Sequence, residues 1–268
     1  MSSTASFSMI GGAGRRMRVG QWHPAPAKAA HNAPPLVILA GIGMNIEMLE
    51  PLACLLPERH IIGFDMPGIG QSPDPVFPYT IPQIAITLAA MLDQMKIDQV
   101  DLMGISWGGA VAQQFAFQHR ARTGKLVLAS TSAGGTMIPG NPSLLSHLLD
   151  PREYSAPKSL RRNLAMFYNG GGTERVSLNA ATAPSVIGWT YQLTAFAGWS
   201  SAPFLPLLSV PVMIMADEDD HLIPVANGQL LHTLIPGAAI AISRGGGHLF
   251  MLSDPDRFTA RLRNFLDD

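Results

Sequence analysis

The sequence predicts an α/β protein: a doubly wound, mostly parallel sheet interrupted by one inserted, mainly helical cap. Short apolar runs alternate with longer segments of helical periodicity. The runs are continuous rather than alternating, as in strands covered by helices on both faces. The alternation lapses over residues 132–209, a stretch rich in Pro and Gly, and resumes afterwards. This divides the chain into a core first part at 1–131, a cap at 132–209 and a core second part at 210–268.

Taken in order, residues 35–40 form the first clear strand, followed by the turn Gly41-Ile42-Gly43. The next strand, 60–65, runs into the loop Met66-Pro67-Gly68-Ile69-Gly70, where Pro and Gly punctuate the chain. Residues 81–95 read as a helix with Ile84, Leu88, Met91 and Leu92 on one face. A strand at 100–105 passes through Ser106 into a helix at 107–119, and 125–130 is the next strand. Beyond the cap, 210–216 and 238–243 read as strands and 226–234 and 254–266 as helices. The first 34 residues leave two readings open, antiparallel edge strands or, over 25–33, a loop.

Composition narrows the function. The chain has 268 residues, 47% of them hydrophobic and 14% charged, with 18 basic against 19 acidic side chains. So balanced a surface gives no reason to expect nucleic acid or anionic lipid as partner, and neutral substrates fit better. The single cysteine, Cys54, rules out an internal disulfide and is expected to pack within the apolar stretch 51–56. No apolar run is long enough for a transmembrane helix and no secretory pattern is visible, so a cytoplasmic protein is expected.

The chemical signal is Gly104-Ile105-Ser106-Trp107-Gly108, a G-x-S-x-G nucleophile elbow placed between a strand and a helix. A serine hydroxyl attacks well only when a neighbouring base takes its proton. His248 is the expected base, because Gly245-Gly246-Gly247 place it on a loop after the last strand. His119 and His232 sit on helical patterns, His221 reads as a surface residue, and His23, His31, His60 and His147 lack a partner motif. The orienting acid should lie between Ser and His, beyond a strand. Asp217, Glu218, Asp219 and Asp220 all qualify, but only one can meet the imidazole; Asp220 is preferred because it stands four residues before Pro224, with Asp219 and Asp217 as alternatives, and the carboxylates not in that role are expected to be solvated. The backbone amides of Ile42 and Trp107 are the expected oxyanion donors. Neither a clustered metal-ligand spacing nor a dinucleotide fingerprint occurs, so no cofactor and no metal are expected.

At these residues the chain resembles the intracellular depolymerases of medium-chain-length poly(3-hydroxyalkanoate), within the α/β-hydrolase fold. The likeness rests on Gly41-Ile42-Gly43-Met44-Asn45-Ile46-Glu47, Phe64-Asp65-Met66-Pro67-Gly68, the elbow continuing through Ala112-Gln113-Gln114-Phe115-Ala116, and Gly246-Gly247-His248-Leu249-Phe250. Cap segments are more diagnostic: Pro151-Arg152-Glu153-Tyr154, residues 168–172, Tyr191-Gln192-Leu193 and Gly198-Trp199-Ser200. The resemblance implies hydrolysis of polyester bonds and association with a hydrophobic storage granule. Three positions depart from the family pattern: Ala40 stands in place of His, Asp217 in place of Gly and His221 in place of Pro. Polymer synthases of the wider group carry Cys at the elbow, which Ser106 disfavours. A small-molecule carboxylesterase or a carbon-carbon bond hydrolase with the same triad is the alternative, and a non-catalytic ligand-binding relative a more distant one. The cap also holds Met166, Phe167, Tyr168, Trp189, Tyr191, Phe196, Trp199 and Phe204. Of these, Phe167, Trp189, Tyr191 and Trp199 are the candidates for substrate contact, and the others are expected to form the cap's own small core.

Overall fold

The computed structural model describes residues 4–24, 33–150 and 182–268. Eight strands form one sheet in the order β1-β2-β4-β3-β5-β6-β7-β8. They are β1 (Thr4–Gly12), β2 (Arg15–His23), β3 (Leu36–Leu39), β4 (Ile61–Phe64), β5 (Val100–Ile105), β6 (Thr123–Ala129), β7 (Val212–Asp217) and β8 (Ala239–Ser243). Neighbours from β4 through β8 pair parallel, while β2 pairs antiparallel with both β1 and β4. The sheet is therefore mostly parallel, as the continuous apolar runs predict.

The N-terminal segment resolves into two antiparallel strands, of which β1 is the sheet edge and β2 is paired on both sides. Ala13 and Gly14 join β1 to β2 with φ of 47° and 77°, the double positive φ of a two-residue turn whose twist matches the flanking strands. Of the loop expected over 25–33, residues 25–32 lie outside the described residues.

The helices are α1 (Glu50–Leu55), α2 (Ile81–Gln94), α3 (Trp107–Gln118), α4 (Pro142–Leu149), α5 (Val186–Ala197), α6 (Val225–Leu234), α7 (Phe250–Ser253) and α8 (Pro255–Asp267). Helix α2 begins where Thr80 and Gln83 satisfy each other's backbone amides in a capping box. Its apolar face, Ile84, Leu88, Met91 and Leu92, is fully buried. Helix α3 is buried nearly all round, because it lies against the centre of the sheet. On α1 the expectation for Cys54 is corrected: Leu52 and Ala53 face the core, whereas Cys54 is exposed. One short helix can bury only one stripe, and Cys54 falls outside it.

The sheet order places the site. From β3 the chain crosses to β4 on one side and then to β5 on the other, so the winding reverses between β3 and β5. Loops at the carboxyl ends of two such strands diverge and leave a crevice. The turn after β3 holds Ile42, and the turn after β5 holds Ser106. Between β6 and β7 the described residues contribute α4, α5 and a short 3₁₀ turn at Leu205–Leu207. The rest of the expected cap, 151–181, lies outside the described residues. Among the described residues no helix is long and apolar enough to cross a membrane.

Candidate functional site

Ser106 sits at the junction of β5 and α3 with φ 52° and ψ −119°. A non-glycine residue held there stores about 1–3 kcal/mol of backbone strain. The surroundings keep it there: its amide donates to Ala129 O at 3.0 Å, and its carbonyl accepts from the Gly109 amide at 2.9 Å and the Thr131 hydroxyl at 2.6 Å. The flanking glycines of the motif have a steric cause. A Cβ on Gly108 would stand 2.1 Å from Leu39 O, and one on Gly104 would stand 2.5 Å from the Gly109 Cα. Only glycine lets α3 start this close to β3 and β5.

The acid and the histidine meet as the spacing suggests. Asp220 Oδ2 lies 2.8 Å from His248 Nδ1, with both side chains almost wholly buried. Asp220 Oδ1 accepts from the amides of Leu222 at 3.0 Å and Ile223 at 2.8 Å, which fixes the carboxylate plane. The Ser130 hydroxyl donates to His248 O at 2.8 Å and so tethers the histidine's backbone to the end of β6. Ser106 and His248 both line a cavity of about 30 Å³, together with Gly41, Ile42 and Leu249. That is room for a single water molecule.

Asp217 is not solvated, contrary to the expectation for the carboxylates other than Asp220. It is fully buried: Oδ1 accepts from the amides of Asp219 and Gly247 at 3.0 and 3.1 Å, and Oδ2 from Gly246 at 3.2 Å. Asp219 Oδ2 accepts from Gly245 at 2.7 Å. Glu218 pairs with Arg244 at the surface. The acidic run 217–220 is thus laid against 244–248, and its carboxylates hold the glycine loop that carries His248. The departure expected at Asp217 was the one signal in the sequence, but its partners Gly246 and Gly247 lie 29 and 30 residues away. Replacing Asp217 with Ala strands three backbone donors and is expected to cost about 3 kcal/mol of stability. Urea unfolding measures this, and a loss under 1 kcal/mol would show that water replaces the carboxylate.

The two expected oxyanion donors flank the serine. Trp107 opens α3, so its amide has no acceptor within the helix. Ile42 lies in the turn 41–44, closed by the Met44 amide on Gly41 O at 3.2 Å. A Cβ on Gly41 would reach 3.6 Å from the Ser106 Cβ, so this turn abuts the serine. Ile42, Ser106 and Trp107 line one cavity of about 170 Å³, whose walls are Met137, Leu145, Leu148, Leu149, Leu193 and Phe196 among others.

That lining corrects the aromatic candidates. Trp189 is 1% exposed and donates its indole N–H to Leu148 O. Trp199 donates to Gln114 Oε1 at 2.7 Å and packs beside Phe204. Tyr191 meets Tyr79 edge to face. None of the three lines the cavity beside Ser106; they hold α5 and the segment after it on the core. Phe167 lies outside the described residues. Among the described residues, aliphatic side chains of α4 and α5 with Phe196, Met137, Leu222 and Ile223 line that cavity instead. Leucines read from sequence as ordinary helix-face residues, so no composition signal marked them. Among the described residues no group of three or more His, Cys, Asp or Glu is arranged to hold a metal ion.

Residues 34–255 match the family model described as alpha/beta hydrolase fold. The chain is 39% identical over 238 residues to a poly(3-hydroxyalkanoate) depolymerase of Ectopseudomonas oleovorans, covering 87% of this chain and 84% of that protein. Among solved structures it resembles an esterase from Exiguobacterium antarcticum, with a TM-score of 0.83 at 21% identity over 97% of this chain and 99% of the other. It likewise resembles a meta-cleavage product hydrolase from Pseudomonas fluorescens IP01, with a TM-score of 0.80 at 19% identity over 97% of each chain. The last two likenesses are of fold. The strand order, the serine at the winding reversal and the match along most of its length together place this chain in the α/β-hydrolase family, alongside the poly(3-hydroxyalkanoate) depolymerase of Ectopseudomonas oleovorans.

Proposed function

We propose that this protein hydrolyses the ester bonds of a poly(3-hydroxyalkanoate) with medium-length side chains, through an acyl-enzyme on Ser106. The observation that carries the reading is the Asp220–His248 hydrogen bond of 2.8 Å, beside a strained serine that shares a cavity wall with the imidazole. Ser106 Oγ attacks the ester carbonyl carbon while His248 takes the hydroxyl proton. Asp220 holds the ring in the orientation that leaves its other nitrogen able to accept, and it stabilises the imidazolium. The carbonyl oxygen becomes an oxyanion between the amides of Ile42 and Trp107. As the carbonyl re-forms, the carbon–oxygen bond to the leaving chain breaks and His248 returns the proton to that chain's new hydroxyl. Water, deprotonated by His248, then attacks the acyl carbon; the bond to Ser106 Oγ breaks, His248 returns the proton to Oγ, and the acid is released.

The identity to a depolymerase supports the polymer, and the cavity supports the side-chain class. Its exposed lining is almost entirely apolar, and each methylene buried there contributes about 0.8 kcal/mol. Leu149 lines the cavity yet is 63% exposed, which sets an apolar residue at its rim, where the protein would meet a granule surface. The cytoplasmic, granule-associated location follows from this substrate.

The test is incubation with amorphous granules of defined side-chain length and identification of the released hydroxy acids or oligomers. Turnover of short activated esters with none of polymer would establish the small-ester reading instead. Leu193 projects from α5 into the cavity wall, so Leu193→Trp is expected to lower kcat/KM for eight-carbon 3-hydroxyacyl esters at least about tenfold relative to four-carbon ones. Equal loss on both lengths would place the acyl side chain elsewhere.

A further inference from the structure

One residue of α5 touches both segments that carry the oxyanion donors. Gln192 is 1% exposed. Its side-chain Oε1 accepts from the Gly43 amide at 2.8 Å, and its backbone carbonyl accepts from the Trp107 indole Nε1 at 2.8 Å. The partners are 149 and 85 residues away in sequence, on the turn after β3 and at the start of α3. We propose that Gln192 positions the oxyanion hole, clamping the Ile42 turn and Trp107 at a fixed separation from a helix inserted between β6 and β7. The inference rests on the serine-hydrolase reading above.

The geometry gives the clamp its effect. The turn 41–44 has Gly43 at its third position with φ 69°, the positive φ that a type II turn requires there and glycine supplies. Rotating the central peptide, Ile42 to Gly43, converts one turn type into another and alters the backbone at Ile42. Gln192 accepts the N–H of this peptide and so fixes ψ of Ile42, which anchors the turn that carries the Ile42 amide. Trp189, one helical turn earlier on α5, closes the space above it: a Cβ on Gly43 would stand 2.2 Å from the Trp189 ring. On the other side, anchoring the Trp107 indole restrains the residue whose own amide is the second donor. A donor displaced by a fraction of an ångström loses value in the transition state, where the charge has concentrated on oxygen, and far less in the ground state. Gln192 is therefore a positioning residue: it touches neither substrate nor the reacting atoms, and its loss should appear in kcat.

The experiment compares wild type, Gln192→Met and Trp107→Phe with a soluble 3-hydroxyacyl ester, and with a trifluoromethyl ketone that forms a tetrahedral adduct on serine. Gln192→Met keeps the volume and removes the side-chain acceptor; Trp107→Phe removes the indole donor and keeps the backbone amide. Each is expected to lower kcat about 10- to 100-fold with KM changed less than about threefold, and to weaken the ketone by the same factor as kcat/KM. A purely structural role would lower the melting temperature and leave kcat and ketone affinity within about twofold well below it, which would overturn the proposal. A rise in KM alone would also overturn it. Should Gln192→Met fail to fold, Trp107→Phe carries the same test. Absence of ester turnover in the wild type would sink the serine-hydrolase reading itself, whereas an active wild type with indifferent variants sinks only the clamp.

Discussion

Replacing Ser106 with Ala is expected to lower polyester hydrolysis by at least about 10⁴-fold while leaving the fold intact. The substitution removes only Oγ, since the backbone bonds to Ala129, Gly109 and Thr131 involve the main chain of residue 106. Ala keeps a Cβ and therefore the strain of φ 52°. Ser106→Gly removes the same nucleophile and also relieves that strain, so it should be equally inactive yet more stable than Ser106→Ala by about 1 kcal/mol. The pair separates chemistry from folding: activity is lost in both, and thermal stability rises only in the glycine variant. Comparable turnover in either variant would mean that another group opens the ester.

Asp220→Asn is expected to lower kcat by about 10⁴-fold with little change in stability. The amide retains an oxygen for the Leu222 and Ile223 amides, so the loop after β7 keeps its shape. What changes is the atom facing His248 Nδ1, now an N–H donor. The imidazole must then accept at Nδ1 and carry its proton on the nitrogen that should receive the serine's. The orientation survives while the basic site is lost. Activity of the variant toward a soluble ester, measured beside its melting temperature, checks this. Retention of a tenth of wild-type activity would transfer the orienting role to another carboxylate, although Asp217 and Asp219 already spend oxygens on the glycine loop.

What the sequence disclosed and what it withheld divide along a physical line. The elbow was legible because a strand stopping at a Gly-x-Ser-x-Gly turn states a local backbone requirement, and the clashes at Gly104 and Gly108 show that requirement in atoms. The offset of Asp220 from Pro224, an arrangement common in this fold, pointed to the carboxylate that lies 2.8 Å from His248 Nδ1. Strand β5 was placed to the residue, because a short mainly apolar run ends at the Gly-x-Ser-x-Gly turn, and in the structure all six positions are buried. The N-terminal hairpin was half-hidden: its turn is Ala13-Gly14, and Ala at positive φ gives none of the signal that Asn would.

The cavity wall beside Ser106 and the supports of the site were not legible, because they depend on which distant residues meet. Trp189 and Trp199 have the composition of a binding slot, yet each spends its indole N–H on a residue of the protein. Leu145, Leu148 and Leu193 look like any helix face until α4 and α5 are seen above Ser106. Asp217 and Gln192 act through partners far along the chain, and hydrogen bonds of that kind leave no periodic trace.

The central claim is that the Ser106 hydroxyl, made nucleophilic by His248, takes up the acyl group of a 3-hydroxyalkanoate ester. Acid quenching during turnover of a short 3-hydroxyalkanoate oligomer, followed by peptide mass spectrometry, tests it most directly. The expected result is a 3-hydroxyacyl adduct on Ser106, absent from Ser106→Ala. Steady hydrolysis of the oligomer with no adduct at Ser106, or with the adduct on another residue, would contradict it.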